Sequence, residues 1–311
     1  MSVASRSDLS GKRVLITGAS GFTGRYVGRE LLSHGCHVTG LGGGADTAQT
    51  GSDMSAYVQA DLRDADSLAR AIAESRPDIV LHLAAIAFVG HGSADDFYNV
   101  NLVGSRNLLQ AVASQAPGVE RVLLASSANV YGNLSSGKLD EKSIPAPAND
   151  YAVSKLAMEY MASLWRDKLP ITVTRPFNYT GAGQSENFLI PKIVSHFAHR
   201  KSEIELGNLD VSRDFSDVRT VALAYRLLLQ TPAAIGQTVN VCSGTGNSLG
   251  QIIDICSRLT GHSIEVRVNP AFVRASEVKV LLGDNGLLHE LIGEWQAPTL
   301  EQTISWMLAE A

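Results

Sequence analysis

A tyrosine and a lysine stand four residues apart in Tyr151-Ala-Val-Ser-Lys155, and Ser127 lies 24 residues upstream in Leu124-Ala-Ser-Ser-Ala-Asn-Val-Tyr-Gly132. On a helix that spacing puts both side chains on one face, one turn apart. A free phenol has a pKa of about 10, too high for ready proton exchange at neutral pH. A neighbouring ammonium favours the phenolate, so Lys155 is expected to lower the Tyr151 pKa and make it a general acid or base. Ser127 adds a hydroxyl able to hold a carbonyl or alcohol oxygen. Surface helices produce Tyr-x-x-x-Lys by chance, so the weight of the motif rests on its surroundings.

The next chemistry-bearing stretch is Gly18-Ala-Ser20-Gly21-Phe22-Thr23-Gly24, which follows the β-rich run Arg13-Val-Leu-Ile-Thr17 and precedes a helical pattern. Glycines there allow close backbone approach, and the helix start offers N–H donors to a pyrophosphate. Dinucleotide sites selective for NAD usually carry an Asp or Glu at the end of the second strand. Here that strand ends Leu41-Gly42-Gly43-Gly44, with no carboxylate and no obvious arginine in its place. NADP(H) is therefore favoured, with NAD(H) as the second choice. Asp61, ending the third strand, is placed to accept from an adenine amine or to start a helix.

The elements that must position these groups alternate. Strands are expected at Arg13–Thr17, Val38–Leu41, Tyr57–Ala60, Ile79–Leu83, Arg121–Ala125 and Ile171–Thr174, with helices between, including Phe97–Ser114 and Tyr151–Trp165. Several strands are almost wholly apolar, which indicates a parallel sheet covered on both faces. The expected fold is α/β, a Rossmann-like doubly wound sheet followed by a smaller α/β domain. We place the dinucleotide-binding part at 1–178 and the smaller part at 179–311, with about 212–243 returning to the first.

With 45% hydrophobic and 18% charged residues, the 311-residue chain has ample core material. A net charge of −5 gives no basic footprint for nucleic acid or an anionic membrane, so a phosphate ligand needs local cations. Cys36, Cys242 and Cys256 are an odd set without metal-ligand spacing, which reads as buried free thiols and no metal site. The first residues lack the apolar run of a signal peptide, and no apolar stretch approaches a membrane span. A soluble, cytoplasmic protein is expected.

In this order and spacing, the chain resembles the extended short-chain dehydrogenase/reductases that act on nucleotide sugars, over nearly its whole length. The resemblance is carried by Gly18 to Gly24, His82-Leu-Ala-Ala85, Asn101, Ser127 with Val130-Tyr-Gly132, Tyr151 to Lys155 and Arg175-Pro-Phe-Asn178. It implies that Ser127, Tyr151 and Lys155 form the catalytic triad. It also implies a cofactor site made of the Gly18–Gly24 loop, Asp61, Leu62, Leu83, Ala84, Ala85, Asn101, Tyr151, Lys155, Pro176 and Phe177. His82 receives no chemistry.

Within that family, Asp210-Val-Ser-Arg213-Asp-Phe-Ser-Asp217 and Asn269-Pro-Ala-Phe-Val-Arg274-Ala-Ser-Glu277 look like the group of GDP-mannose 4,6-dehydratases and GDP-4-keto-6-deoxy-D-mannose reductases. The likeness implies that Arg213 and Arg274 hold a diphosphate and Glu277 a ribose, with Ser127, Asn178, Asn187 and Lys192 in the same cleft. The bland alternative for the arginines is ion pairing with Asp214, Asp217 or Glu277. The dehydratases of that group need a Glu two places after the catalytic Ser or Thr, and Asn129 stands there. An amide cannot take a proton from carbon.

The expected activity is thus NADPH-dependent reduction of a nucleotide-linked 4-keto-6-deoxyhexose at C4. A nucleotide-sugar 4-epimerase with tightly bound NAD is the alternative, and a non-catalytic NADP-binding scaffold a distant third. By analogy a homodimer is expected, with Met158, Met161 and Trp165 suited either to its interface or to the core.

Overall fold

Each short apolar run becomes a strand and each 3.6-period stretch a helix. The computed structural model describes residues 6–43, 53–87, 93–133, 137–270 and 280–311. A seven-stranded sheet contains β1 (Arg13–Thr17), β2 (His37–Gly42), β3 (Ala56–Gln59), β4 (Ile79–His82), β5 (Arg121–Ala125), β7 (Ile171–Pro176) and β11 (Thr238–Val241). Its order is β11-β7-β5-β4-β1-β2-β3, and every neighbouring pair is parallel. The strand order reverses between β1 and β4, the place where such sheets open a ligand crevice at their carboxyl edge.

Alternation along β1 shows how the sheet is buried. Val14 and Ile16 enter one core, with α1 (Phe22–Ser33), α7 (Val218–Gln230) and α9 (Gly286–Ile292). Leu15 enters the other, with α2 (Ala65–Ser75), α4 (Ser105–Gln115) and α5 (Asp150–Ser163). Each fully buried aliphatic side chain contributes about 1.5–3 kcal/mol, so both faces must be covered at once. A short α3 (Ala94–Asp96) runs into a π-helical segment, Phe97–Gly104, before α4. The single long helix expected from Phe97 is therefore widened over its first two turns.

The smaller part holds β6 (Lys138–Leu139), β8 (Asn178–Thr180), β10 (Ser212–Asp217), β12 (Gly246–Ser248) and β14 (Val280–Gly283) in a second sheet. A third pairs β9 (Glu203–Leu206) with β13 (Glu265–Val268). Around them lie α6 (Leu189–Ala198), α8 (Leu249–Thr260) and α10 (Leu300–Ala309), packed through Ile193, Phe197, Ile252, Ile304 and Met307. Of the stretch 212–243, α7 and β11 join the seven-stranded unit, whereas β10 lies in the second sheet. No helix among the described residues is long and apolar enough to cross a membrane.

Candidate active site

β1 delivers Gly18 to the reversal point of the sheet. Gly18 has φ of 71°, and a Cβ there would sit 2.8 Å from the Ala84 backbone. A Cβ on Gly24 would come within 2.3 Å of the Gly18 carbonyl oxygen. Side chains are excluded at both positions, and the loop folds back against Leu83-Ala84. Helices α2, α5, α7, α8 and α10 are capped by Asp64, Asn149, Asp217, Ser248 and Thr299. Gly21 caps α1 without any side-chain bond, which leaves its first N–H donors for a ligand. A bare helix start in a glycine cradle fits a dinucleotide diphosphate.

Behind that loop, hydrogen bonds run in one direction. His82 is buried, and burial, helped by the Lys155 charge, pushes its pKa down to about 3, so the ring is neutral. Ser105 Oγ donates to the Asn101 carbonyl at 2.6 Å and therefore accepts from His82 Nε2, 2.7 Å away. His82 Nδ1 then accepts from Thr17 Oγ1 at 2.7 Å, and Thr17 Oγ1 accepts from Ala84 N at 3.2 Å. Asn101 completes the frame: its amide bonds both backbone groups of Ile86 and donates to Ser154 Oγ at 3.0 Å. As a result the β4 end, the π-helical segment and α5 are tied together. His82 and Asn101 are occupied by the chain itself, and both serve placement.

Ser127 leaves β5 as the cap of a 3-10 turn over Ala128–Tyr131, its Oγ accepting from Asn129 N at 3.1 Å. Tyr151 lies in the first turn of α5, where the Ser127 hydroxyl acts on its phenol. Burial pushes the Tyr151 hydroxyl up to about 12, although the Ser127 hydroxyl pulls the other way. This is opposite to the lowering by Lys155 expected from the sequence. The Lys155 ammonium instead donates to the Ala125 carbonyl at 2.7 Å, and burial lowers its pKa to about 8 against the pull of Glu159. At neutral pH the group is thus a proton-bearing phenol beside a charged lysine.

Phe177 is buried at the end of β7 beside Tyr131, with ring centroids 6.1 Å apart. Asn178 donates to the Asp214 carbonyl at 3.3 Å. Tyr179, which the sequence reading passed over, joins the two halves: its OH lies 2.8 Å from Thr23 Oγ1 and its ring stacks on Phe22. Its place two residues after Phe177 was the available signal. Glu159, one turn beyond Lys155, was also missed.

Other expected residues hold different partners. Arg63 clasps the Asp61 carboxylate and keeps it below the usual range, and the helix cap is Asp64. Leu62 is buried against the Gly104 position. Asn187 bonds Ser185 through its backbone, Lys192 Nζ donates to the Glu205 carbonyl at 2.9 Å, and Arg213 donates to the Ser212 carbonyl at 2.9 Å. Arg274 and Glu277 lie outside the described residues. Asn129 is exposed, and Glu141 accepts from Asn240 N at 2.8 Å. Among the described residues no cluster of three or more His, Cys, Asp or Glu side chains is placed to hold a metal ion.

Residues 14–242 match the model of the NAD dependent epimerase/dehydratase family. With that match and this fold, the chain belongs to the family. It is 35% identical to a GDP-6-deoxy-D-talose 4-dehydrogenase of Aggregatibacter actinomycetemcomitans, over 90% of this chain and 91% of that one. It is 33% identical to a GDP-6-deoxy-D-mannose reductase of Pseudomonas aeruginosa, over 96% and 97% of the two chains. Among solved structures, one provisionally described as an epimerase from Burkholderia cenocepacia superposes with a TM-score of 0.89 at 47% identity, covering 97% of this chain and 98% of that one. A UDP-glucose 4-epimerase of Thermus thermophilus, in complex with NAD, superposes at 0.83 with 27% identity, covering 96% and 98%.

Proposed function

We propose that the protein is an NADPH-dependent reductase that converts a nucleotide-linked 4-keto-6-deoxyhexose to the C4 alcohol. The observation that carries this reading is the make-up of the Ser127 turn: a buried, protonated Tyr151 near Ser127, with the Asn129 amide where elimination would need a carboxylate. Reduced nicotinamide, when bound, supplies the hydride to C4. Ser127 holds the carbonyl oxygen, Tyr151 gives its proton to the forming alkoxide, and the Lys155 charge stabilises the phenolate left behind. The products are the alcohol and oxidised cofactor, and Tyr151 regains its proton from solvent.

The names of the two relatives support the substrate class. Talose and mannose differ in configuration at C4, so both 6-deoxy sugars give one and the same 4-ketone on oxidation there. The absent carboxylate after β2 supports NADP(H) over NAD(H). Arg213, Arg274, Glu277, Asn178, Asn187 and Lys192 are the proposed nucleotide-sugar contacts, and a homodimer is the proposed assembly. NADPH oxidation with GDP-4-keto-6-deoxymannose is the assay. If no 4-keto nucleotide sugar is turned over, the proposal fails.

The NAD complex of a 4-epimerase on the same fold favours a second reading, a nucleotide-sugar 4-epimerase with resident NAD. Protein that purifies with one equivalent of NAD, and is active without added cofactor, would put this reading first.

A further inference from the structure

A buried ion pair stands directly behind the Ser127–Tyr151–Lys155 group, and the chemistry proposed above does not use it. Arg175, at the end of β7, clasps Glu159 of α5 through Nε at 3.0 Å and Nη2 at 2.6 Å, and both side chains are less than one-tenth exposed. Ser126 Oγ donates to the same carboxylate at 2.5 Å. Ser126 precedes Ser127, and its N–H is fixed to the Thr174 carbonyl at 2.7 Å. Arg175 Nη1 reaches Tyr131 OH at 3.0 Å, and Tyr131 OH donates to Asn240 Oδ1 at 2.7 Å. The Ser127 turn is therefore gripped at both ends, at Ser126 and at Tyr131, by groups that converge on one carboxylate.

Breaking a buried pair is strongly destabilising, whereas replacing it whole by apolar groups is often neutral. A charged pair is thus not needed at this depth for folding alone. Its position has a second effect. Glu159 lies one helical turn beyond Lys155, the residue whose ammonium is stripped of solvent. We propose that Glu159 is a positioning residue for the proposed reduction: through Ser126 it sets the place of the Ser127 hydroxyl, and through space it keeps the Lys155 ammonium charged. This inference rests on the function proposed above.

Among the described residues, the titratable and charged groups near Lys155 are His82 on β4, Tyr151 and Glu159 on α5, and Arg175 on β7 behind Glu159. His82 is neutral and Tyr151 keeps its proton, so Glu159 is the carboxylate that opposes desolvation of the lysine. Removing its charge shifts proton loss from Lys155 to lower pH, and the uncompensated Arg175 acts in the same direction.

Glu159→Gln tests this, with kcat/KM and NADPH affinity measured from pH 6 to 10. The alkaline limb is expected to move down by about one pH unit, as for an opposite charge lost one helical turn from a buried lysine. Ser126→Ala, which leaves the ion pair intact, is expected to lower kcat severalfold with an unchanged limb and unchanged NADPH affinity. Should Glu159→Gln fail to fold, Glu159→Gln/Arg175→Met removes both charges; the limb is then expected to move in the same direction by a smaller amount, because the repulsion from Arg175 is removed too. A purely structural role would lower the melting temperature without moving the limb; that result, or wild-type kcat in Ser126→Ala, overturns the proposal. A wild-type protein that binds no NADPH would instead sink the functional reading.

Discussion

Tyr151 is the proton donor of the proposed reduction, and burial sets its behaviour. A phenol pushed up to about 12 holds its proton throughout the physiological range, as a donor in a reduction must. Tyr151→Phe keeps the ring and removes the proton; turnover is expected to fall by about 10²–10⁴-fold, with NADPH binding retained. In the proposed reduction, Lys155 sets the upper pH limit. Its pKa is lowered to about 8, so the ammonium is present below that pH and lost above it. NADPH affinity is therefore expected to weaken as pH rises through about 8, and fluorescence titration of the cofactor would measure it. That Tyr151 and Lys155 share a helix beside the end of β5 was legible in the sequence, because their spacing is helical. The sequence could not tell the direction of the Tyr151 shift, because burial sets it and burial depends on what other elements pack over α5.

Element by element, legibility followed hydrophobic pattern. Apolar strands such as Ile79–His82 were plain, since period and composition agree in a doubly covered sheet. The three-residue strands β8 and β12 were not, because Asn178-Tyr179-Thr180 and Gly246-Asn247-Ser248 gain their pairing from β10 and carry no pattern of their own. The π-helical turn at Asn101 was equally silent in sequence.

The glycine loop makes a sharp prediction at this scale. Gly24→Ala places a methyl against the Gly18 carbonyl, so cofactor binding should be lost and stability should drop by about 1–3 kcal/mol, measured by denaturant melts. His82 links β1, β4 and the π-helical segment, and its folded pKa of about 3 lies below the unfolded value of about 6.5. The unfolded chain then binds the extra proton, so this contribution is complete above pH 6.5 and is lost as pH falls toward 3. The loss runs at up to about 1.4 kcal/mol per pH unit. His82→Gln should be less stable at pH 7 and show a flatter decline between pH 6 and 4.

At the scale of the whole molecule, the three residues suited either to an interface or to the core fall on the core side. Met158 is fully buried in the α5 core, and Met161 and Trp165 pack against that same core. The exposed apolar side chains of α5 are instead Val153, Tyr160 and, just past its end, Leu164, spaced to share one stripe. Tyr160→Glu with Leu164→Glu is expected to give a monomer by sedimentation if this stripe is the interface, and to leave the melting temperature of each protomer nearly unchanged.

Tyr179 bonds Thr23, and Tyr26 bonds the Ala182 carbonyl at 2.8 Å, so the first helix and the strand leading to the second sheet are fastened together. Whatever seats itself against the first turn of α1 must also settle the strap at 178–184. Two ligands that lean on one shared strap owe each other the same factor in affinity, whichever arrives first. Calorimetry should find cofactor and sugar nucleotide strengthening one another by equal ratios, which would make the enzyme a sensor of the pair and a poor binder of either alone.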